Sequence, residues 1–457
     1  MIRFAILPSH RQYNRGVKDE HGHAIVLGAG VSGLLSARVL SESFDLVTVL
    51  DRDVLPDGPG DRKGVPQSRH LHSLATKGSE LLEYFFPGLD AELSEAGCPS
   101  VDQSLHAITD TPEGRLPRFA SGVMMRAASR DLLEWRVRRR VENIPNVRFV
   151  HKMEATGLIR GSSRSIKSVA ARSRDDGSET TFEANLVLDA SGNASRAPEW
   201  LEAIGYEAPK ETVVDARLGY ATRWYEVPEG FDADWKSLAV LPGWPDNPRG
   251  GSLRRVEGNR WTAVLVGIGG DYPPTGEDAF EHFAASLPSP IIHDAIKNSK
   301  PISSVYGYRR TANRKRHYER APLPENLLVA GDAACVLNPT YGQGMTTAAL
   351  SAMALKKVLD ERRPENLSRR FHKKQASTVS PAWTATATSD RQWSAAGVKE
   401  LGRARRFLHR VSGEVMRLAT EDEATAKTLL EVKNLTASPA SLARPGILLP
   451  ALARSLR

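Results

Sequence analysis

Two short apolar runs, residues 24–27 and 46–50, are too brief for helices and rich in β-branched side chains, so they predict buried strands. Between them, residues 31–40 space Leu34, Leu35 and Val39 onto one face of a helix. Gly28, Gly30 and Gly33 stand at the strand–helix junction as G-x-G-x-x-G, and Asp51 ends the second strand. A βαβ unit of about thirty residues is the setting in which that spacing binds a dinucleotide. Gly28 permits the tight turn, Gly30 lets backbone approach a pyrophosphate, and Gly33 lets helix and strand pack closely. The helix start aims unpaired N–H groups and a partial positive charge at the phosphates. Asp51 is placed to accept both hydroxyls of the adenosine ribose.

Further along, a Pro/Gly-rich loop (56–60) precedes a run (62–72) in which His70 and His72 alternate as on a strand face or open a helix over 74–86, stopped by Pro87-Gly88. Residues 98–125 read as short strands and turns, and Ser129 as the N-cap of a helix with Asp131 in its first turn. A strand is expected at 147–150, and a hairpin where 169–171 and 181–182 flank Asp175-Asp176-Gly177. A buried strand, 186–188, runs into Asp189-Ala190-Ser191-Gly192. Alternating, aromatic-rich strands at 220–225, 238–241 and 261–266, with a helix at 277–285, predict an antiparallel sheet. A core strand at 327–330 leads into Gly331-Asp332, then residues 338–346 and a helix at 347–360. Residues 367–435 are helical in pattern, and 438–457 predict a short helix. The expected organisation is an N-terminal extension (1–22), a discontinuous nucleotide-binding domain (23–205 plus 306–366), a substrate domain (206–305, with 98–125 contributing) and a C-terminal helical region (367–457).

With 40% apolar and 25% charged residues the chain has the composition of a globular protein, and its 457 residues suffice for two or three domains or one large enzyme core with insertions. Its two cysteines, Cys98 and Cys335, argue for a reducing compartment, hence the cytoplasm, and Cys335 reads as a small packing residue. No run approaches the roughly 20 apolar residues of a membrane span. Residues 4–8 are too short for a secretory core, so the N-terminus reads as an extension. The net charge is +8, with the positive residues dispersed along the chain apart from two local clusters, 136–140 and 309–320. These are solvated faces or, more sharply, a patch for an acidic carrier protein or a nucleotide phosphate; no nucleic-acid-binding motif accompanies them. His70 and His72 lack a third ligand nearby, so no metal is expected.

Three separated motifs agree in order: the Gly28–Gly33 fingerprint, Asp189-Ala190-Ser191-Gly192, and Gly331-Asp332 followed by Pro339-x-x-Gly342-x-Gly344. Together they resemble the single-component FAD-dependent aromatic hydroxylase and epoxidase superfamily over residues 23–360. The resemblance implies an α/β chain: a Rossmann-type, glutathione-reductase-like FAD-binding domain, an inserted antiparallel-sheet substrate domain and a C-terminal helical segment. More narrowly, Lys63-Gly64-Val65-Pro66-Gln67, Ser129-Arg130, residues 189–201, Tyr220-x-Thr222-Arg223 and Asn338-Pro339-x-Tyr341-Gly342-x-Gly344-Met345 resemble a bacterial squalene-epoxidase-like branch. That branch holds polyether epoxidases, which act on polyene polyketides, and FAD-dependent dialkyldecalin synthases, which catalyse a cycloaddition. The sequence does not choose between them.

The resemblance implies FAD, held by Gly28, Gly30, Ser32, Gly33, Asp51, Arg52, Lys63, Val65, Arg130, Asp189, Gly192, Asp332, Gly342, Gly344 and Met345. Asp332 would hold the ribityl hydroxyls, and Arg130 and Lys63 would approach the phosphates or the flavin edge. The helix opened by Gly342–Met345 would stabilise negative charge on the reduced flavin. Pro339, Tyr341 and Gln343 are pocket candidates; no catalytic residue is assigned, because a C4a-hydroperoxide on the flavin would be the oxidant. NAD(P)H would bind transiently, since no second dinucleotide fingerprint is present. The expected activity is a natural-product monooxygenase that epoxidises or hydroxylates a large apolar polyene, polyketide or aromatic substrate. The alternative is a redox-neutral FAD-requiring [4+2] cyclase acting on a linear polyene. The Gly-Trp-x-Trp-x-Ile-Pro pattern expected of flavin halogenases is missing.

Overall fold

The structure, a computed structural model, describes residues 22–456 apart from 61, 63, 73, 162, 163, 364 and 394–402. Almost all of the expected N-terminal extension, and Lys63, lie outside the described residues.

A five-stranded sheet forms the centre, in the order Leu327–Val329, Leu186–Asp189, His23–Leu27, Leu46–Leu50, Val147–Val150, with every neighbouring pair parallel. Its strands are short continuous apolar runs because both faces are covered. Ala24 and Val26 pack beneath Leu34, Leu35 and Val39 of the helix Val31–Leu40. Ile25 and Leu27 point the other way, into a cluster with Val169, Trp200 and Tyr318. Ser129 caps the helix Arg130–Glu142 by accepting from the Leu132 N–H, as its position predicts. The expected hairpin is formed by Ile166–Ser173 and Glu179–Glu183, with Met153–Arg160 as a third strand. A further three-stranded sheet runs Glu211–Val214, Asn313–Arg316, Cys335–Val336, all antiparallel.

The predicted antiparallel sheet is larger and more mixed than the sequence suggests. Seven strands run in the order Tyr306–Tyr308, Gly219–Glu226, Arg260–Gly267, Arg249–Val256, Ser237–Val240, Ala107–Thr111, Gly114–Arg115. Ser237–Val240 pairs parallel with Ala107–Thr111, so the sheet is not purely antiparallel. Its fourth strand, Arg249–Val256, escaped detection because Gly250, Gly251, Arg254 and Arg255 break the apolar alternation. One face of this sheet holds Tyr225, Leu253, Trp261, Phe280 and Ile292; the other turns toward the central sheet and forms one wall of a large cavity.

The C-terminal helices Leu367–Trp393, Arg403–Glu421 and Glu423–Lys433 supply the remaining wall, and Pro445–Ser455 packs behind Arg403–Glu421 through Ala451. Residues 66–72 form neither the strand nor the helix start considered for them: a 3-10 turn, Pro66–Arg69, is followed by extended chain. Among the described residues no helix is long and apolar enough to cross a membrane, and no group of three His, Cys, Asp or Glu is disposed to hold a metal ion. In the basic cluster, Arg139 pairs with Glu142, and Arg136 and Arg140 with Glu92.

Candidate functional site

The glycine turn is fixed by close contacts that only glycine allows. Gly28 has φ +96°, and a Cβ there would lie 2.7 Å from the Ala190 carbonyl oxygen. A Cβ on Gly33 would fall 1.8 Å from the Gly28 carbonyl oxygen, so helix and turn touch backbone to backbone. Gly30 differs: a Cβ there would meet nothing within 4 Å, because the position faces the cavity. Leu34 is the first helical residue whose N–H bonds back along the chain, to the Gly30 carbonyl at 2.9 Å. The N–H groups before it therefore have no intrahelical partner. Ser32 lines the cavity with a buried hydroxyl that has no hydrogen-bond partner among the described residues.

Gly331 joins the second motif to the first. It adopts φ +61°, and a Cβ there would strike Ser32 at 2.6 Å. That contact sets Asp332 beside the start of the first helix, on the cavity wall. Burial raises the Asp332 carboxyl above its ordinary value, and the Arg130 charge partly offsets this.

Asp51 closes the turn from the second strand. Its Oδ2 accepts the Ala29 N–H at 2.7 Å and its Oδ1 accepts the Asp53 N–H at 2.8 Å. Arg62 reaches the same carboxylate, Nη2 to Oδ2 at 2.8 Å, and spans to Glu134 Oε1 at 2.6 Å. Arg130 completes a chain of charges by pairing with Glu134 Oε2 at 2.8 Å. Burial works against the Glu134 charge, but Arg130 and Arg62 outweigh it and hold the carboxyl below its ordinary value. No local pattern marks Arg62, because its partners Asp51 and Glu134 lie 11 and 72 positions away.

The loop from Asn338 to Gly342 lines the cavity with Pro339, Thr340, Tyr341 and Gly342. A buried carboxylate, Asp390 of the helix Leu367–Trp393, organises it. Asp390 Oδ1 accepts the Tyr341 hydroxyl at 2.7 Å, and Oδ2 accepts Asn338 Nδ2 at 2.8 Å and Asn313 Nδ2 at 2.6 Å. Burial raises this carboxyl, and the three donors partly restore it. Gly342 turns at φ +67° and the helix Gly344–Asp360 then begins, three residues before the predicted start. A Cβ on Gly344 would meet nothing within 4 Å, again because cavity lies beyond it. The Gln343 side chain faces the cavity with its Oε1 buried and without a protein partner.

Most of the residues singled out in the sequence line this one cavity of about 1460 Å³, among them Arg52, Val65, Gly192, Pro339, Tyr341 and Met345. Asp189 does not face it. It is buried, and its carboxylate accepts the Ser191 N–H at 2.9 Å and the Ser195 hydroxyl, so it shapes the turn that carries Gly192. Gly33 acts through packing, as described. His70 hydrogen-bonds Thr222 Oγ1 at 2.8 Å and stacks edge-on to Tyr220 at 4.7 Å; burial, then the Arg69 charge, lowers its pKa to about 4. Cys335 packs beside Ala382 and Trp383, and burial pushes its thiol up to about 12, which makes a reactive thiolate unavailable.

The residues present suit FAD. Open space at Gly30 and Gly344, the free first-turn N–H groups and the orphaned Ser32 hydroxyl fit a dinucleotide that runs from Asp51 past Asp332 to the second helix start.

The chain matches the FAD binding domain family over residues 22–380. It is 31% identical over 388 residues to Protein Rv3254 of Mycobacterium tuberculosis (strain ATCC 25618 / H37Rv), covering 82% of this chain and 81% of that one. The fold is similar to that of the flavin-dependent brominase Bmp2, with a TM-score of 0.66 and 12% identity, covering 95% of this chain and 98% of that one. It is also similar to the Diels-Alderase PyrE3 of pyrroindomycin biosynthesis, with a TM-score of 0.60 and 18% identity, covering 90% and 80%. At such identities these two structures speak to the fold alone.

Proposed function

The chain belongs to the FAD binding domain family of single-component FAD-dependent monooxygenases, and from that premise we propose that it acts in natural-product biosynthesis. It transfers one oxygen atom from O₂ to a C=C bond or electron-rich ring of a large apolar substrate, with NAD(P)H as transient reductant. The observation that carries this reading is the single continuous cavity. Its volume of about 1460 Å³ exceeds the roughly 300–1,000 Å³ of an ordinary small-molecule site, so it has room for a substrate beside the flavin. Much of the sheet wall is built from small or aliphatic side chains such as Ala107, Ala239, Val264 and Val266, with Tyr220 and Tyr308 beside them. We place the reaction in the cytoplasm, in keeping with two free thiols.

When bound, the flavin supplies the redox and oxygen chemistry. The protein's part is binding and electrostatics. The first helix start and Ser32 would hold the pyrophosphate, and Asp332 would hold the ribityl chain. The start of Gly344–Asp360 would offer N–H groups and a partial positive charge to the flavin's pyrimidine edge. The Asp390-pinned loop fixes Pro339 and Tyr341 on the cavity wall, where they would contact the substrate.

The test is to incubate FAD-loaded protein with polyene and aromatic candidates, with and without NAD(P)H and oxygen, and to follow product mass and flavin absorbance. Gain of one oxygen atom that depends on reductant supports the proposal. A product isomeric with the substrate, formed by oxidised flavin without reductant, would replace it with redox-neutral cyclisation, the chemistry that the name of PyrE3 carries on this fold.

A further inference from the structure

Two cations that the cofactor reading does not use, Arg254 and Lys433, line the cavity. Arg254 lies on the strand Arg249–Val256, where the sheet alternation turns Leu253 into the core and Ser252 and Arg254 into the cavity. It is the one charged side chain that the described strands of this sheet contribute to the wall. Lys433 ends the helix Glu423–Lys433 and is exposed toward the same cavity. Its ammonium has no hydrogen-bond acceptor and no carboxylate within ion-pair distance among the described residues.

Both positions are fixed. Ser237 and Thr262 are the cross-strand neighbours of Arg254. Next to Lys433, Asn434 Oδ1 accepts from Gln103 Nε2 at 2.7 Å and from the Thr76 N–H at 3.0 Å. The Lys433 carbonyl accepts from Gln343 Nε2 at 3.3 Å, which ties this helix end to the loop beside the expected flavin edge. Burial, and then the like charge of Arg254, lowers the pKa of the Lys433 ammonium; burial lowers that of Arg254 to about 10. An ammonium held inside a cavity beside a like charge costs stability until an anion joins it. A solvated surface lysine would show neither feature.

We propose that Lys433 and Arg254 form an oxyanion subsite, and that the substrate of this enzyme is a large apolar molecule bearing a carboxylate or a stable enolate. This deepens the reading that the cavity takes substrate beside FAD, and rests on it. The acidic group anchors one end of the substrate between sheet and helix, while the apolar body lies along the small side chains toward Tyr341. Such a charge-assisted contact orients a chain that apolar walls alone would let slide.

The experiment is a calorimetric titration of the FAD-loaded protein with biphenyl-4-carboxylate and, separately, with the uncharged biphenyl-4-carboxamide. Flavin content is measured beforehand, so loss of the flavoprotein reading would show at that step, and no turnover is needed. The expected result is a preference of about tenfold or more for the carboxylate, abolished in Lys433→Met, reduced in Arg254→Met and kept in Lys433→Arg. Equal affinity for the two ligands, binding of neither, or a preference that survives Lys433→Met in a protein with full flavin content would overturn the subsite. Any of these could occur while the protein remained a working monooxygenase.

Discussion

Single atoms separate Gly30 from Gly33, although the sequence presents them as one motif. A methyl on Gly33 would collide with the Gly28 carbonyl, whereas one on Gly30 would enter open cavity. Gly33→Ala should therefore lose about 1–3 kcal/mol of folding stability together with FAD. Gly30→Ala should change apoprotein stability by less than about 0.5 kcal/mol while weakening FAD binding tenfold or more. Denaturant unfolding of the two apoproteins beside flavin titrations checks the split; equal stability losses would show that the contacts are misassigned. The glycine turn was legible because its causes lie within a few residues. Asp390 was not, since its partners Tyr341, Asn338 and Asn313 are 49, 52 and 77 positions away and nothing local marks it. Asp189 misled for the converse reason: an acid at a strand end looks like a ligand, and only the fold shows Ser191 and Ser195 occupying it. Three donors converge on Asp390, and an asparagine offers one acceptor oxygen in place of two. Asp390→Asn should cost about 1–3 kcal/mol and Tyr341→Phe less, because Asp390 then keeps both amides. Thermal unfolding of the FAD-loaded variants measures this, and a neutral Asp390→Asn would contradict the clamp.

Between elements, His372 joins the helix Leu367–Trp393 to the edge strand Leu327–Val329. Its Nε2 accepts the Val329 N–H at 3.1 Å and its Nδ1 donates to the Ser368 carbonyl at 2.7 Å, so the folded ring is neutral. Burial lowers its pKa to about 4, against about 6.5 in an unfolded chain. Between those values the unfolded chain binds more protons than the folded one. Stability is therefore full above about pH 6.5 and falls as the pH drops toward about 4. His70 at about 4 and His72 at about 3, both through burial first, act in the same direction. The melting temperature at fixed FAD should begin to fall near pH 6.5, above the carboxylate range, and less steeply in His372→Gln. A melting temperature flat down to pH 4.5 would rule this out. Element types were readable wherever apolar spacing was strong, as in the central sheet. They failed at Arg249–Val256, where glycine and arginine mask a strand that its two neighbours specify.

At the scale of the molecule, the chain brings two helix starts, Val31–Leu40 and Gly344–Asp360, to one cavity through the contact of Gly331 with Ser32. Motif order in the sequence announced that meeting; the reach of the cavity to the C-terminal helices became visible only in the folded chain, because those helices carry no motif. The central claim is that both ends of this arrangement hold a single FAD. An equilibrium titration of the apoprotein with FAD, read by quenching of flavin fluorescence, tests it most directly, with Gly30→Val and Asp332→Ala measured beside the parent. We expect one equivalent bound by the parent and affinity at least tenfold weaker in each variant. Undiminished binding in either variant, or none in the parent, would contradict the account.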